Sequence, residues 1–382
     1  MHKALGVGII GCGNISTAYL SLASMFRGYD IRAVADVNMD TARTRALEFD
    51  VRADTVEDLL AAADIDLIVN LTIPAAHGQV SKAILDAGKH VYSEKPFVLS
   101  LAEGQELAQI AAVKGLRIGS APDTFLGGSH QMARKLIDDG AIGTVTSGVA
   151  VVMSHGMEDW HPNPDFFFQQ GGGPVLDIGP YYICNLVQML GPIKQVTSFS
   201  GKASDTRTIG SGPRKGETVP VETPTTIHAV LAFESGAIIT LLASWDVWAN
   251  ANPTMELYGT KGTMTVPDPN FFGGDVTVTQ RNDAPQTQTG SQTWAHPFGI
   301  PNFEETKANY RGAGLADMVE AINTGRAHRC NDTFASHVVD VMTSILKAGE
   351  TGQVVTLTTS CTRPDALEPA QAQALLSDKS VG

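Results

Sequence analysis

The 382-residue sequence has no apolar run long enough to cross a bilayer, no close pair among its four cysteines, and fewer basic than acidic residues. Each absence removes a class of protein. A membrane-spanning helix needs about 20 consecutive apolar residues, so no membrane partner is expected. Cys12, Cys184, Cys330 and Cys361 are scattered, which fits neither a zinc site nor a disulfide framework. The N-terminal apolar stretch is glycine-rich and has no small-residue cleavage site behind it, so the expected location is a reducing cytoplasm. With 27 Lys and Arg against 40 Asp and Glu, the net charge of −13 argues against nucleic acid or an anionic membrane as partner. There is no internal repeat, and no low-complexity segment beyond the polar stretch at 283–293.

What remains is an ordinary soluble composition, 43% apolar and 18% charged, long enough for two domains. The most informative feature comes first. Leu5-Gly6-Val7-Gly8-Ile9-Ile10 reads as a short buried strand and runs into Gly11-Cys12-Gly13-Asn14-Ile15-Ser16. An amphipathic helix follows, with Ile15, Ala18, Tyr19, Leu22, Ala23 and Phe26 on one face. Gly11 permits a tight turn, Gly13 leaves room for a pyrophosphate, and the helix N-terminus offers unpaired N–H groups and a positive dipole end. Ser16 replaces the third glycine of the pattern and predicts slightly looser helix–strand packing. Asp36 follows twenty residues later at the end of the next strand, where a carboxylate accepts both ribose hydroxyls of an adenosine. It also repels a 2′-phosphate, so NAD(H) is favoured over NADP(H); Arg43, nearby, is the residue that would rescue the phosphate.

Residues 1–125 alternate strand and helix, the rhythm of an α/β Rossmann dinucleotide-binding domain with helices on both faces of a parallel sheet. Ligands of such sheets bind beyond the carboxyl ends of the strands. Those ends carry Gly11, Asp36, Thr72-Ile73-Pro74, Ser93-Glu94-Lys95-Pro96 and Pro122-Asp123. From 126 to 382 the pattern changes to an α+β domain with a large, mostly antiparallel open sheet. It includes a helix at 176–190 and strand patterns at 193–203, 226–234, 237–246, 254–258, 263–266 and 275–281. One face of that sheet packs on helices; the other is expected to meet another subunit, as a homodimer or homotetramer.

Glu94-Lys95-Pro96 ends a strand about eighty residues after the glycine turn, and Gly171-Gly172-Gly173-Pro174-Val175-Leu176-Asp177-Ile178-Gly179-Pro180-Tyr181 opens the 176–190 helix. With the glycine turn and the Thr72-Ile73-Pro74 to His77 loop, these segments make nearly the whole chain resemble the Gfo/Idh/MocA oxidoreductases, the family of glucose–fructose oxidoreductase and inositol dehydrogenase. The resemblance implies an NAD(P)-dependent dehydrogenase or reductase of sugars or cyclic polyols. It implies Lys95 and Asp177 at the reacting carbon, His77 near the nicotinamide ribose, and cofactor contacts from Gly8, Gly11, Gly13, Asn14, Ile15, Asp36, Thr72, Pro74, Glu94 and Lys95. The sequence departs from the family pattern in two places. Tyr181 stands where a His is usual, and Cys184 where a second acid often follows.

Oxidising a secondary alcohol sends a hydride to the nicotinamide and a proton to a positioned group. Asp177 and Tyr181, four residues apart, fall on one face of a helix. Two assignments stay open: Tyr181 as acid/base, or Lys95 as base with Tyr181 orienting the substrate. Trp160 and His161 begin an aromatic loop suited to a sugar, whose ring C–H faces pack on aromatics while its hydroxyls bond to polar groups; the same loop also suits a lid or subunit contact. His155, Asp159, His161 and Asp165 lack a tight repeated spacing, so no metal is expected. Two other functional classes are weighed against the dehydrogenase: an NAD-dependent glycosidase working through transient oxidation, and a non-catalytic NAD-binding regulator.

Overall fold

A computed structural model describes residues 4–161, 163–288 and 294–377. Pro162 of the aromatic loop and residues 289–293 of the polar stretch lie outside the described residues. The chain forms two compact units. One comprises the residues up to Gly128 with Ala295–Val339 and those from Pro364 on; the other comprises Ser129–Trp294 and Asp340–Arg363. The sequence reading makes a single cut at 125/126, whereas the units are interleaved along the chain.

The first unit is built on six parallel strands: β1 (Leu5–Ile10), β2 (Tyr29–Ala35), β3 (Arg52–Asp54), β4 (Leu67–Asn70), β5 (His90–Ser93) and β6 (Ile118–Ser120). Their order is β3-β2-β1-β4-β5-β6, so the chain reverses its winding between β1 and β4. β1 has a neighbour on each side and helices over both faces, which is why Gly6 to Ile10 are all buried. The helices that return the chain are α1 (Asn14–Leu22), α2 (Met39–Phe49), α3 (Val56–Ala61), α4 (His77–Asp86) and α5 (Leu101–Lys114). Local sequence sets their ends. Asn38 caps α2 by accepting the Asp40 N–H, Ser100 and Glu103 form a reciprocal capping box on α5, and Gly115 stops α5 at φ 65°.

The second unit contains α6 (Gly128–Asp138, save its first residue), β7 (Val145–Met153) and three helices in succession, α7 (Asp165–Phe168), α8 (Pro174–Asp177) and α9 (Gly179–Leu190). Strands β8 (Ile193–Gly201), β9 (Thr206–Thr208), β10 (Thr218–Pro220), β11 (Thr226–Phe233), β12 (Ile238–Ser244), β13 (Met255–Gly259), β14 (Gly262–Val266), β15 (Val276–Gln280) and β16 (Gln286–Gln288) follow. With β17 (Val355–Thr356) they form a nine-stranded sheet ordered β16-β15-β14-β13-β7-β12-β11-β8-β17, leaving β9 and β10 as a separate pair. Every pairing in the large sheet is antiparallel except β7 with β12. Ile227, Ala229, Leu231 and Phe233 of β11 and Ile239, Leu241 and Ala243 of β12 turn inward and are buried, with more exposed residues between them. α9 is buried on every side; the side-chain amides of its polar Asn185 and Gln188 donate to the ring and the carbonyl of His130 of α6, while Gln188 Oε1 is left without a hydrogen-bond partner among the described residues.

Candidate active-site residues

In the first unit the glycine turn leaves β1 at Gly11, whose φ of 103° favours glycine. A Cβ there would also lie 2.5 Å from the Leu71 carbonyl oxygen. Gly13 is the N-cap of α1, has no side-chain cap, and a Cβ added to it would meet nothing within 4 Å. Open space therefore lies against an uncapped helix N-terminus that starts at Asn14 and Ile15, the arrangement a pyrophosphate requires. Ser16 is fully buried, and its hydroxyl donates to the Gly13 carbonyl at 2.7 Å, bracing the turn. Gly8 lies within β1, where a Cβ would meet Leu59 at 2.8 Å, so its small size serves strand–helix packing. Burial, and then Asp36, push the Cys12 thiol up to about 11, which keeps it protonated and unreactive.

Asp36 follows β2 and is held on both carboxylate oxygens. Oδ2 accepts the Cys12 N–H at 2.8 Å and Oδ1 accepts the Asn38 N–H at 2.9 Å. Each oxygen keeps a further lone-pair direction for a hydroxyl. Val37 beside it is 97% exposed, and Arg43 is ion-paired with Asp40 at 3.1 Å. The residues present thus fit an adenine dinucleotide: an open phosphate cradle, then an oriented acid.

The ends of β4 and β5 form one connected network. Asn70 is fully buried; its Oδ1 accepts the N–H and hydroxyl of Thr72, and its Nδ2 donates to the His77 carbonyl and to Ser81. The His77 ring is fully buried, with Nδ1 2.7 Å from the Pro96 carbonyl and Nε2 2.9 Å from the Thr72 carbonyl. Pro74 opens the short turn, Pro74–Ala76, that leads into α4. Glu94 is 8% exposed; its Oε1 accepts the Tyr19 hydroxyl at 3.0 Å and its Oε2 accepts the Lys95 N–H at 2.8 Å. Burial, followed by Glu94, pushes the Tyr19 phenol well above its ordinary value, so Tyr19 remains a donor. The helix behind the glycine turn is thereby joined to the residue that carries the Lys95 ammonium.

In the second unit, the single helix read at 176–190 is two segments. Asp177 ends α8 and Tyr181 lies in the first turn of α9, with Ile178 between them. Pro180 has no N–H to bond back toward Leu176, so one uninterrupted helix cannot run through it. Asp177 is half-buried and Tyr181 is buried. The aromatic loop divides by role. His161 stands edge-on to Trp160, Phe166 and Phe167, and Trp160 is 61% exposed. Asp165 is taken up by Arg214, which reaches its two oxygens at 2.6 and 3.1 Å. His155 stacks on Trp248, and Asp159 is exposed. Among the described residues, no three His, Cys, Asp or Glu side chains are grouped to hold a metal.

Sequence reasoning missed two sets of supporting residues. Tyr19 reads as a core position because its partner, Glu94, lies 75 residues away; Asn70 sits in an apolar strand run, and its bonds to Thr72, His77 and Ser81 form only once the strand turns into α4. The buried Arg207, held by Glu158 at 2.9 Å and by Asp246, reads as an isolated surface charge. No local signal marks it.

A family model described as "Oxidoreductase family, NAD-binding Rossmann fold" matches residues 5–121, and one described as "GFO/IDH/MocA C-terminal domain" matches 130–265. The chain belongs to the GFO/IDH/MocA oxidoreductase family. An uncharacterised oxidoreductase of Schizosaccharomyces pombe is 26% identical over 65% of this chain, and the match spans 62% of that protein's length. Levoglucosan dehydrogenase of Pseudarthrobacter phenanthrenivorans is 25% identical over 68% of this chain and 73% of its own. The solved structure of a levoglucosan dehydrogenase in complex with NADH superposes with a TM-score of 0.80 at 21% identity, over 94% of this chain and 100% of that one. The two sheets are those of GFO/IDH/MocA oxidoreductases: a parallel six-stranded Rossmann sheet and a separate, mostly antiparallel nine-stranded one. The glycine turn and Asp36 fall inside the match to the NAD-binding domain, 5–121, and Asp177 and Tyr181 inside the match to the C-terminal domain, 130–265.

Proposed function

We propose that this family member is an NAD(H)-dependent dehydrogenase or reductase acting on a secondary alcohol or ketone of a sugar or cyclic polyol. The observation that carries the reading is the open cradle at Gly13 followed by Asp36, whose two oxygens are aimed by backbone N–H groups. Relatives named levoglucosan dehydrogenase, inositol 2-dehydrogenase and 1,5-anhydro-D-fructose reductase support the substrate class. NAD is favoured because Asp36 opposes a 2′-phosphate, Val37 offers it no donor, and Arg43 is engaged with Asp40. Four buried cysteines, none of them in a disulfide, suit a cytoplasmic enzyme.

When bound, the nicotinamide supplies the hydride chemistry. The chain's own groups do the rest. Gly13, Asn14 and Ile15 hold the pyrophosphate, and Asp36 holds the adenosine ribose. Lys95 stabilises negative charge developing on the substrate oxygen. Tyr181 exchanges the hydroxyl proton, and Asp177 orients the substrate. The test is a screen of sugars, inositols and sugar acids with NAD and NADP, read at the nicotinamide absorbance. Lys95→Ala is expected to cut kcat by about two to four orders of magnitude with little change in NAD affinity. Tyr181→Phe is expected to match that loss; a fall of only a few-fold would return the proton to Lys95 and leave Tyr181 an orienting role. Product formation without net reduction of NAD would instead indicate glycoside cleavage.

A further inference from the structure

Two buried histidines, His130 and His296, share a pattern that His77 does not follow. His130 sets Nε2 against the Phe271 carbonyl and accepts the Asn185 amide at Nδ1; His296 sets Nε2 against the Leu367 carbonyl and accepts the Phe298 N–H at Nδ1. One acceptor and one donor suit a neutral ring, and burial accordingly pulls both down to about 4. His77 faces two carbonyl oxygens, at 2.7 and 2.9 Å, and neither can donate. A neutral ring would press a nitrogen lone pair against one of them in the interior, leaving two acceptors facing each other without a proton. Burial pulls His77 below its ordinary value, against the Pro96 and Thr72 carbonyls and Glu94 and together with Lys95; that pull favours a neutral ring, but two acceptor-only partners at hydrogen-bond distance are both satisfied only when each nitrogen carries a proton, and the geometry decides the state. Glu103 of α5 lies on the same side as Gly78, the next residue of α4. Of the charged side chains acting on His77, Glu94 favours a cation there and Lys95 opposes one.

We propose that His77 holds both ring protons in the folded protein and acts as a positioning residue, tying the Thr72 loop at the end of β4 to the Lys95-Pro96 turn at the end of β5. Two charge-assisted bonds from one rigid ring fix these backbones relative to each other. Glu94 and Tyr19 fix the same turn from α1. Lys95 then projects from a frame anchored on both the phosphate side and the loop side of the dinucleotide site. The role for Lys95 rests on the proposed dehydrogenase; the protonation of His77 does not.

Nitrogen NMR of 15N-histidine-labelled full-length protein at pH 7 tests the protonation directly, with His77 assigned by its loss in His77→Asn. Two protonated ring nitrogens are expected. A proton-free nitrogen on His77 overturns the proposal, and this wild-type spectrum decides even where the variant folds poorly. Kinetics test the positioning. His77→Asn is expected to lower kcat about ten- to a hundred-fold, and to cost nothing further in a Lys95→Ala background. Equal losses in both backgrounds would overturn the positioning role, showing that His77 does not act through Lys95. A fully active Lys95→Ala would remove that role together with the dehydrogenase reading of Lys95, while the spectrum still judges the charged ring.

Discussion

Val37 stands 97% exposed beside a carboxylate whose two oxygens are already oriented by the backbone. In the proposed dehydrogenase, that pair of residues sets the cofactor preference. Each hydrogen bond to a charged group is worth about 1.5–3 kcal/mol, so replacing the acid with a small residue and the neighbour with a cation should invert the choice. Asp36→Ala with Val37→Arg is expected to shift the NAD/NADP ratio of kcat/KM toward NADP by roughly a hundred-fold or more. Asp36→Ala alone should weaken NAD through two losses, the ribose contact and the brace on the Cys12 N–H. Steady-state kinetics with both cofactors distinguish these outcomes, and an unchanged ratio in the double variant would take Asp36 out of cofactor selection. Lys95 sits in the same kind of local frame, since Glu94 spends one oxygen on the Lys95 N–H and the other on Tyr19.

One helix of the first unit begins on a buried acid. The helix α10 (Ala313–Thr324) has Gly312 as its N-cap, and Asp123 accepts the N–H groups of Gly312 and Gly314, each at 2.9 Å. A carboxylate is well placed against a helix N-terminus, yet burial outweighs the two N–H groups and Arg311 and pushes Asp123 up to about 6. Because the folded value lies above the unfolded one, the acid's stabilising contribution is present in full below about pH 4 and is lost as pH rises through about 6. At about 1.4 kcal/mol per pKa unit, the effect is on the order of 3 kcal/mol. Relative to Asp123→Asn, the wild type should therefore lose stability between about pH 4 and 6, as measured by denaturant unfolding at a series of pH values. A flat difference would mean that Asp123 ionises as freely as in the unfolded chain. This contact also shows what sequence can and cannot carry. The glycine turn, Asp36 and the Glu94-Lys95-Pro96 turn are legible because their residues adjoin one another along the chain. The return of 295–339 to the first unit is not, since a helical period at 314–324 says nothing about which sheet it meets. β3, β9, β10 and β16 have three residues each, too few to show a period. The break at Ile178 was within reach, because Pro180 marks it.

In the second unit, alternate residues of β8, β11 and β12 turn to an outward face of the large sheet, and that face is not uniformly polar. Phe199 is 79% exposed, Ile238 52% and Val230 38%. Register brings them together: Phe199 opposes His228, Val230 lies between Thr197 and Thr240, and Ile238 opposes Ala232. Single apolar residues on a surface need no explanation, but a contiguous patch across β8, β11 and β12 does. The edge beyond β8 is only Val355–Thr356, so the sheet is poorly suited to edge-on growth and well suited to face-on pairing. The homo-oligomer expected from the sequence would use this face against a second copy of itself. A stable interface of that kind buries about 800 Å² per partner, within the reach of three adjacent strands. Charging its centre with Phe199→Asp and Val230→Asp should force two carboxylates against their own copies across the symmetry axis, where desolvation and like-charge repulsion add. Light scattering is then expected to give half the wild-type mass or less, while circular dichroism stays unchanged because neither residue is inward-facing. An unaltered mass would place the subunit contact elsewhere and leave the patch as free surface.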